Sequence, residues 1–309
     1  PDDARAVLSA TQDAWIELVE RAAHASGPIE TWPDLLFALR ASRFDALFDP
    51  RPRFRRAAAE LAGLGVERAL EKRARVEAAA AATPPRLRSS IVPLAVPLDV
   101  RIVPPSLELG LASERDARVA IGRALAVAWT HPALPPLVAR ADDPTVAGLL
   151  GLLFAHLMAE PRAGSRGLSS AEARVVRERA VLLELFELRT DAAVVLARQH
   201  ASSSSYAEAA EHAVRDAWRV EVEASVAAGL CLADRRAPRR LRAARLVCAL
   251  FAWLREHYDE DFWRNPRAAE PLRAACERGA ALTVEAWAEE LGLTDPGAQI
   301  GARLAELVR

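Results

Sequence analysis

The fold turns on residues 97–130, PLDVRIVPPSLELGLASERDARVAIGRALAVAWT. Leu98 to Val103 is rich in β-branched and apolar side chains and is bounded by Pro97 and Pro104, so it reads as a short strand. Pro104-Pro105 carries the chain into a loop. A helix opens near Ser113, with Glu114 and Asp116 in its first turn, where the helix dipole favours acids, and it stops before Pro132. Working outward, Ser90 to Val96 has the same strand texture. Pro93 and Pro97 suit a sheet edge, because proline has no N–H to give to a central ladder. Arg75-Val76-Glu77 reads as strand or as helix, since an alanine run follows it. Two or three short strands are the most that this sequence supports.

The remainder reads as helix. Asp2 or Asp3 caps a first helix whose apolar Val7, Leu8, Ala14, Trp15, Leu18 and Val19 recur at helical spacing as far as Ala25, before the Gly27-Pro28 stop. Thr31 caps a short helix with Pro33 in its first turn. Asp49-Pro50-Arg51-Pro52 is a turn, followed by helix to about Leu64 and a brief helix from Glu67 to Lys72. Thr83-Pro84-Pro85 breaks the chain. Asp143-Pro144 opens a helix to about Glu160. Ser169 and Glu172 have capping-box spacing for a long helix that reaches His200. Tyr206 to Ala228 reads as one helix and Ala237-Pro238 opens another to His257. Asn265-Pro266, Thr283 and Asp295-Pro296 start the last three. The predicted fold class is mainly α, a helical bowl with one small β-sheet or ribbon. Residues 1–72 form an N-terminal helical subregion and residues 73–309 carry the β element and the longer helical array, together one compact unit.

The 309 residues are enough to bury a full core. The formal net charge of -1 argues against a general attraction to nucleic acid or to an acidic membrane surface. Lys72 is the only lysine, and the abundance of Ala and Arg reads as the mark of a GC-rich genome. Cys231, Cys248 and Cys276 are few, odd in number and outside C-x-x-C spacing, so they read as buried reduced thiols of a cytoplasmic protein. The chain opens on Pro1 with no charged segment followed by an apolar one. Its longest apolar stretch, Val146 to Met158, falls short of a membrane span.

Three local patterns carry a family resemblance. Val96-Pro97-Leu98-Asp99-Val100-Arg101 precedes the helix; Gly122-Arg123-Ala124-Leu125 looks like G-H-A-L; and Asp261-Phe262-Trp263-Arg264-Asn265-Pro266 is an aromatic segment leading into a helix start. With the order of the elements, they resemble the catalytic region of the thimet-oligopeptidase-like gluzincin metallopeptidases and their bacterial relatives. That resemblance implies a zinc-like site built on H-E-x-x-H, where one helical turn puts two imidazoles on one face beside a glutamate base. The corresponding positions here are Val119, Ala120 and Arg123, and the third ligand would fall near Ala147 or Gly148. None of these side chains can do the work. A guanidinium stays protonated and has no lone pair for a metal, but its planar fork can clamp a carboxylate or phosphate. The plainer reading of Arg123 is an arginine at the core edge, paired with Asp116 or with a neighbouring helix.

Other chemistry-bearing residues are scattered. Glu208, His212 and Asp216 share one helical stripe, either half a metal site or a solvated face. His156 lies on an apolar helix as a core histidine, His131 sits at a helix end, and His257 to Asp261 is an acidic helix exit. Arg235, Arg236, Arg239, Arg240, Arg242 and Arg245 crowd a helix start, where their charge opposes the dipole and an anionic partner would relieve it. Phosphate-binding and serine-hydrolase motifs are absent. The leading expectation is a non-catalytic pseudopeptidase, without cofactor or metal, that holds a peptide or partner protein in an inherited cleft, with Arg123 as the ligand-binding residue and no role for nucleic acid or membrane. Two others stay open: an enzyme of another class acting on a small anionic metabolite, and a structural subunit with an empty cleft.

Overall fold

Caps and breakers set most element boundaries in the computed structural model, which describes residues 1–49, 51–77, 88–107, 109–140, 145–160, 168–293, 299–300 and 303. The first helices are α1 (Asp2–Ala10), α2 (Gln12–Ser26), α3 (Trp32–Arg40), α4 (Arg53–Glu60) and α5 (Val66–Arg73). The strands β1 (Ala74–Val76), β2 (Ser90–Ala95) and β3 (Asp99–Val103) follow, then α6 (Leu111–Ala128), α7 (Pro136–Arg140), α8 (Thr145–His156) and α9 (Ser170–Ala197). The last described helices are α10 (Tyr206–Trp218), α11 (Ala224–Ala233), α12 (Ala237–Tyr258), α13 (Ala269–Glu277) and α14 (Val284–Glu290). The predicted mainly α architecture with one small sheet is the one observed. Thr31 with Asp34, and Ser169 with Glu172, form the two capping boxes. Pro50, Thr83-Pro84-Pro85, Asp143-Pro144 and Asp295-Pro296 lie outside the described residues.

The ambiguous Arg75-Val76 segment is a strand: β1 pairs parallel with β3, and β2 pairs antiparallel with it, in the order β1-β3-β2. Pro93 therefore lies on an edge strand, as its missing N–H requires, and the register shifts between Pro93 and Ala95. Val100 and Ile102 of β3 are buried against α6, while Arg101 points outward to Asp99 and Glu77.

The sequence reading has no break at Thr11 or after Trp218, and one side chain serves both breaks. The helix expected to run unbroken to Ala25 is interrupted at Thr11, and the helix expected over Tyr206–Ala228 ends at Trp218, with Arg219 at φ 60°. Fully buried Arg189 of α9 donates to the Leu8 carbonyl (3.0 Å) and the Thr11 hydroxyl (2.8 Å) at the first break, and to the carbonyls of Asp216 (3.2 Å) and Ala217 (2.6 Å) at the second. A bond to Gln12 Oε1 completes its set. These carbonyls are ones that a helix end leaves without an N–H. Burial, and behind it Arg219, pull the Arg189 guanidinium down to about 10.

The helix opening near Ser113 begins slightly earlier, at Leu111 with Gly110 as its cap, so Asp116 lies beyond the first turn. Arg118 and Glu114, both buried, tie α6 to Glu60 and Arg56 of α4. The core has two lobes. One joins α1, α2 and α3 to α9, α10 and α11; the other joins α4, α5 and the sheet to α6, α8, α13 and α14. Helix α12 feeds both, with Leu241 in the first and Leu250 in the second. All three cysteines are buried free thiols. Among the described residues no helix is long and apolar enough to cross a membrane.

Candidate functional site

Between the lobes lies a cavity of about 260 Å³ whose walls come chiefly from α6, α8, α9 and α12. Its position follows from how closely α6 and α8 approach. Gly122 of α6 and Gly151 of α8 leave no room for side chains: a Cβ on Gly122 would stand 2.6 Å from the Gly151 Cα, and one on Gly151 would stand 2.7 Å from the Val119 carbonyl oxygen. With the glycines at the crossing, Val119, Ala120 and Arg123 line the cavity together, and Gly148 lines it from α8. The sequence thus brought the three marked positions to one wall.

These positions do not fit a zinc ion. Val119, Ala120 and Gly148 have no side-chain donor atoms, and the Arg123 guanidinium offers only N–H groups. Among the described residues no group of three or more His, Cys, Asp and Glu side chains is placed to hold a metal.

The cavity is instead rich in positive charge. Six guanidiniums line it, those of Arg88, Arg115, Arg123, Arg236, Arg239 and Arg240, against the carboxylates of Asp116, Glu184, Glu187 and Asp191. Each carboxylate already has a partner. Glu187 accepts from Arg115 at 2.6 Å and pairs with Arg88 at 3.0 Å. Burial raises it, but Arg115 and Arg88 outweigh burial and leave it below the usual carboxylate range. Asp191 and Asp234 share Arg240, at 3.0 Å and 3.1 Å. Burial nevertheless pushes Asp191 up to about 7, against the pull of Arg240. Glu184 meets Nδ1 of His156 at 2.9 Å, and that imidazole is fully buried edge-on to Phe251. Asp116 accepts from the backbone N–H of Ser89 at 2.9 Å and from its hydroxyl at 2.5 Å.

Asp116 is therefore not the ion-pair partner of Arg123 that the sequence offered; the loop before β2 has taken it. Among the described residues Arg123 has no hydrogen bond or ion pair. Burial first, and the charge of Arg236 second, hold its guanidinium below its ordinary value. Burial also pushes the Cys248 thiol on the cavity wall far up, so it remains protonated and a poor nucleophile.

The arginine cluster of α12 divides between structure and cavity. Arg240 joins Asp191 and Asp234, Arg242 joins Glu285 at 2.7 Å, and Arg245 joins Asp3. Arg236 and Arg239 are exposed at the cavity. His156 is a satisfied core histidine, as read. His212 meets Asp216 at 3.2 Å on an exposed surface that Glu208 does not complete, and His257 stacks on Trp253. Sequence reasoning missed Glu184, Glu187 and Asp191. Their signal is an i, i+3, i+7 stripe of acids inside the mostly apolar run VLLELFELRTDAAVV.

No protein-family model and no curated protein matches the chain. Among solved structures it resembles the crystal structure of the M32 carboxypeptidase from Deinococcus radiodurans R1, with a TM-score of 0.62 and 15% identity over 99% of this chain. The chain spans 66% of that protein's length, just under two thirds. The likeness shows the fold, a distant metallopeptidase-like one. It does not single out the thimet-oligopeptidase-like branch to which the sequence patterns pointed.

Proposed function

We propose that this protein is a non-catalytic binder built on a peptidase fold, a pseudopeptidase that holds the carboxyl end of a peptide or of a partner protein in the cavity between the lobes. One observation carries the reading: Val119, Ala120 and Arg123 all face the cavity, and the groups that a zinc peptidase would use there have given way to two apolar side chains and a cation. The side chain of that cation has no hydrogen bond or ion pair among the described residues, with Asp116 acting on it only from a distance, so an entering carboxylate gains a planar, bidentate partner. The apolar wall supplied by Leu152, Leu185, Leu188 and Val247 gives the body of a terminal residue a surface to cover. The structural neighbour is by name a carboxypeptidase, a protein acting at the carboxyl end of chains, and the chemistry of this cavity suits the same end.

The test is a zinc titration of the purified protein, read by metal analysis after gel filtration, alongside incubation with a mixture of unblocked peptides. The expected result is no stoichiometric zinc, no cleavage, and retention of peptides with a free carboxyl terminus. Tight one-to-one zinc together with peptide cleavage would end this reading.

A further inference from the structure

We propose that the terminal residue held in the cavity is itself acidic, so that the bound end presents two carboxylates. This rests on the reading above and adds the class of ligand to it. The argument comes from charge accounting within the cavity. The four lining carboxylates are all engaged: Glu187 by Arg88 and Arg115, Asp191 by Arg240, Glu184 by His156 and Asp116 by Ser89. Arg239 has an interaction of its own, which leaves two guanidiniums over. Arg123 on α6 and Arg236 at the start of α12 form no hydrogen bond or ion pair through their side chains among the described residues. They lie close enough for the charge of Arg236 to lower Arg123. Both line the cavity, so each can take one carboxylate of an entering ligand.

Arg236 flanks the start of the 22-residue α12 at the cavity. The helix end itself offers little to an anion, because Pro238 has no N–H and the Arg239 N–H already bonds the Arg236 carbonyl at 3.1 Å. The two guanidinium side chains are therefore what a ligand meets here. A terminal Asp or Glu supplies both carboxylates from one small residue, and its α- and side-chain groups are separated by only a few bonds. The cavity volume of about 260 Å³ suits the end of a peptide of that size.

Fluorescence anisotropy with labelled hexapeptides that differ only at the end tests this: a terminal Glu, a terminal Gln, a terminal Leu, and a terminal Glu with its α-carboxyl amidated. The Glu peptide is expected to bind at least about tenfold tighter than the Gln and amidated peptides, each of which lacks one charge-assisted pair. Arg123→Leu and Arg236→Leu are each expected to shrink the Glu-over-Gln preference to about twofold or less. Arg236 is exposed, so its variant is expected to keep the wild-type circular dichroism spectrum and melting point. Equal binding of the Glu, Gln and Leu peptides overturns the inference and leaves the carboxyl-end reading standing. Failure of every peptide to bind overturns both. Inorganic phosphate bound in preference to all of the peptides also overturns both.

Discussion

Gly122 and Gly151 meet backbone to backbone where α6 crosses α8, with the Leu150 carbonyl oxygen 2.6 Å and the Gly151 nitrogen 2.7 Å from where a Gly122 Cβ would stand. The obstacles are main-chain atoms, which cannot swing aside as a side-chain tip can. Gly122→Ala must therefore push the two helices apart. Overpacking of this kind costs about 1–3 kcal/mol and occasionally more. The expected outcome is a lower urea midpoint for Gly122→Ala and for Gly151→Ala. By contrast Gly148→Ala on the same helix has only the Ala243 Cβ nearby, at 3.6 Å, and is expected to be neutral or slightly stabilising.

Arg189→Met is expected to destabilise the protein by about 3 kcal/mol or more. Methionine fills much of the volume but donates nothing to the carbonyls of Leu8, Asp216 and Ala217, and each buried acceptor left unsatisfied costs about 1–3 kcal/mol. Chemical denaturation measures the loss. Hydrogen exchange localises it, with the ends of α1 and α10 opening first. A change of less than about 0.5 kcal/mol, the scale of an ordinary surface substitution, would refute the account.

Introducing metal ligands tests whether the cavity wall has the geometry of a metal site. Val119→His with Arg123→His puts two imidazoles one turn apart and removes the cation, Ala120→Glu supplies a base, and Gly148→Glu adds a carboxylate from α8. Gly148 has room for a Cβ and lines the same cavity. The two-histidine variant is expected to bind zinc weakly, and the added glutamate on α8 to tighten binding by about tenfold or more, toward the three-ligand set of catalytic zinc sites. Calorimetry reads both. No gain from Gly148→Glu would mean that α8 presents its side chain away from the two imidazoles.

Stability should depend on pH through Asp191. A carboxyl in an unfolded chain titrates near 3.9, whereas burial raises Asp191 in the folded protein to about 7. The folded state holds this proton more tightly, so the contribution of Asp191 is fully present below about pH 4 and is lost as pH rises through about 7, levelling off about a unit above. Arg240, Glu187 and Asp234 face it and set the size of the effect. In Asp191→Asn this titration is gone. The unfolding free energy of the variant, compared with that of the wild type, is expected to improve from pH 4 through 7 by at least about 1 kcal/mol and to level off about a unit above. A pH-independent difference would show that Arg240 keeps Asp191 ionised throughout.

The sequence carried the strands β2 and β3 and the Ser169 capping box because each is a local signal. Pro93 on an edge strand, Ser169 with Glu172, and the Val119, Ala120 and Arg123 frame can all be read within a few residues. What it hid was decided by distant neighbours. The helix breaks at Thr11 and Arg219 depend on Arg189, 178 residues from the first of them in the chain. The partner of Asp116 is Ser89, on a loop 27 residues away, and nothing local to α6 announces it. The acids of α9 were passed over for a related reason. Helix periodicity marks a residue's face, and which of the faces of a helix buried all round meets a cavity is settled only when the other helices are in place.

The two lobes meet around a cavity that sets guanidiniums and carboxylates beside an apolar wall. Arg123 belongs to one bank and Arg236 to the start of the helix that serves both. An occupant reaching both acts as a rivet. It stabilises the assembled form by an amount that grows with the logarithm of its concentration above Kd.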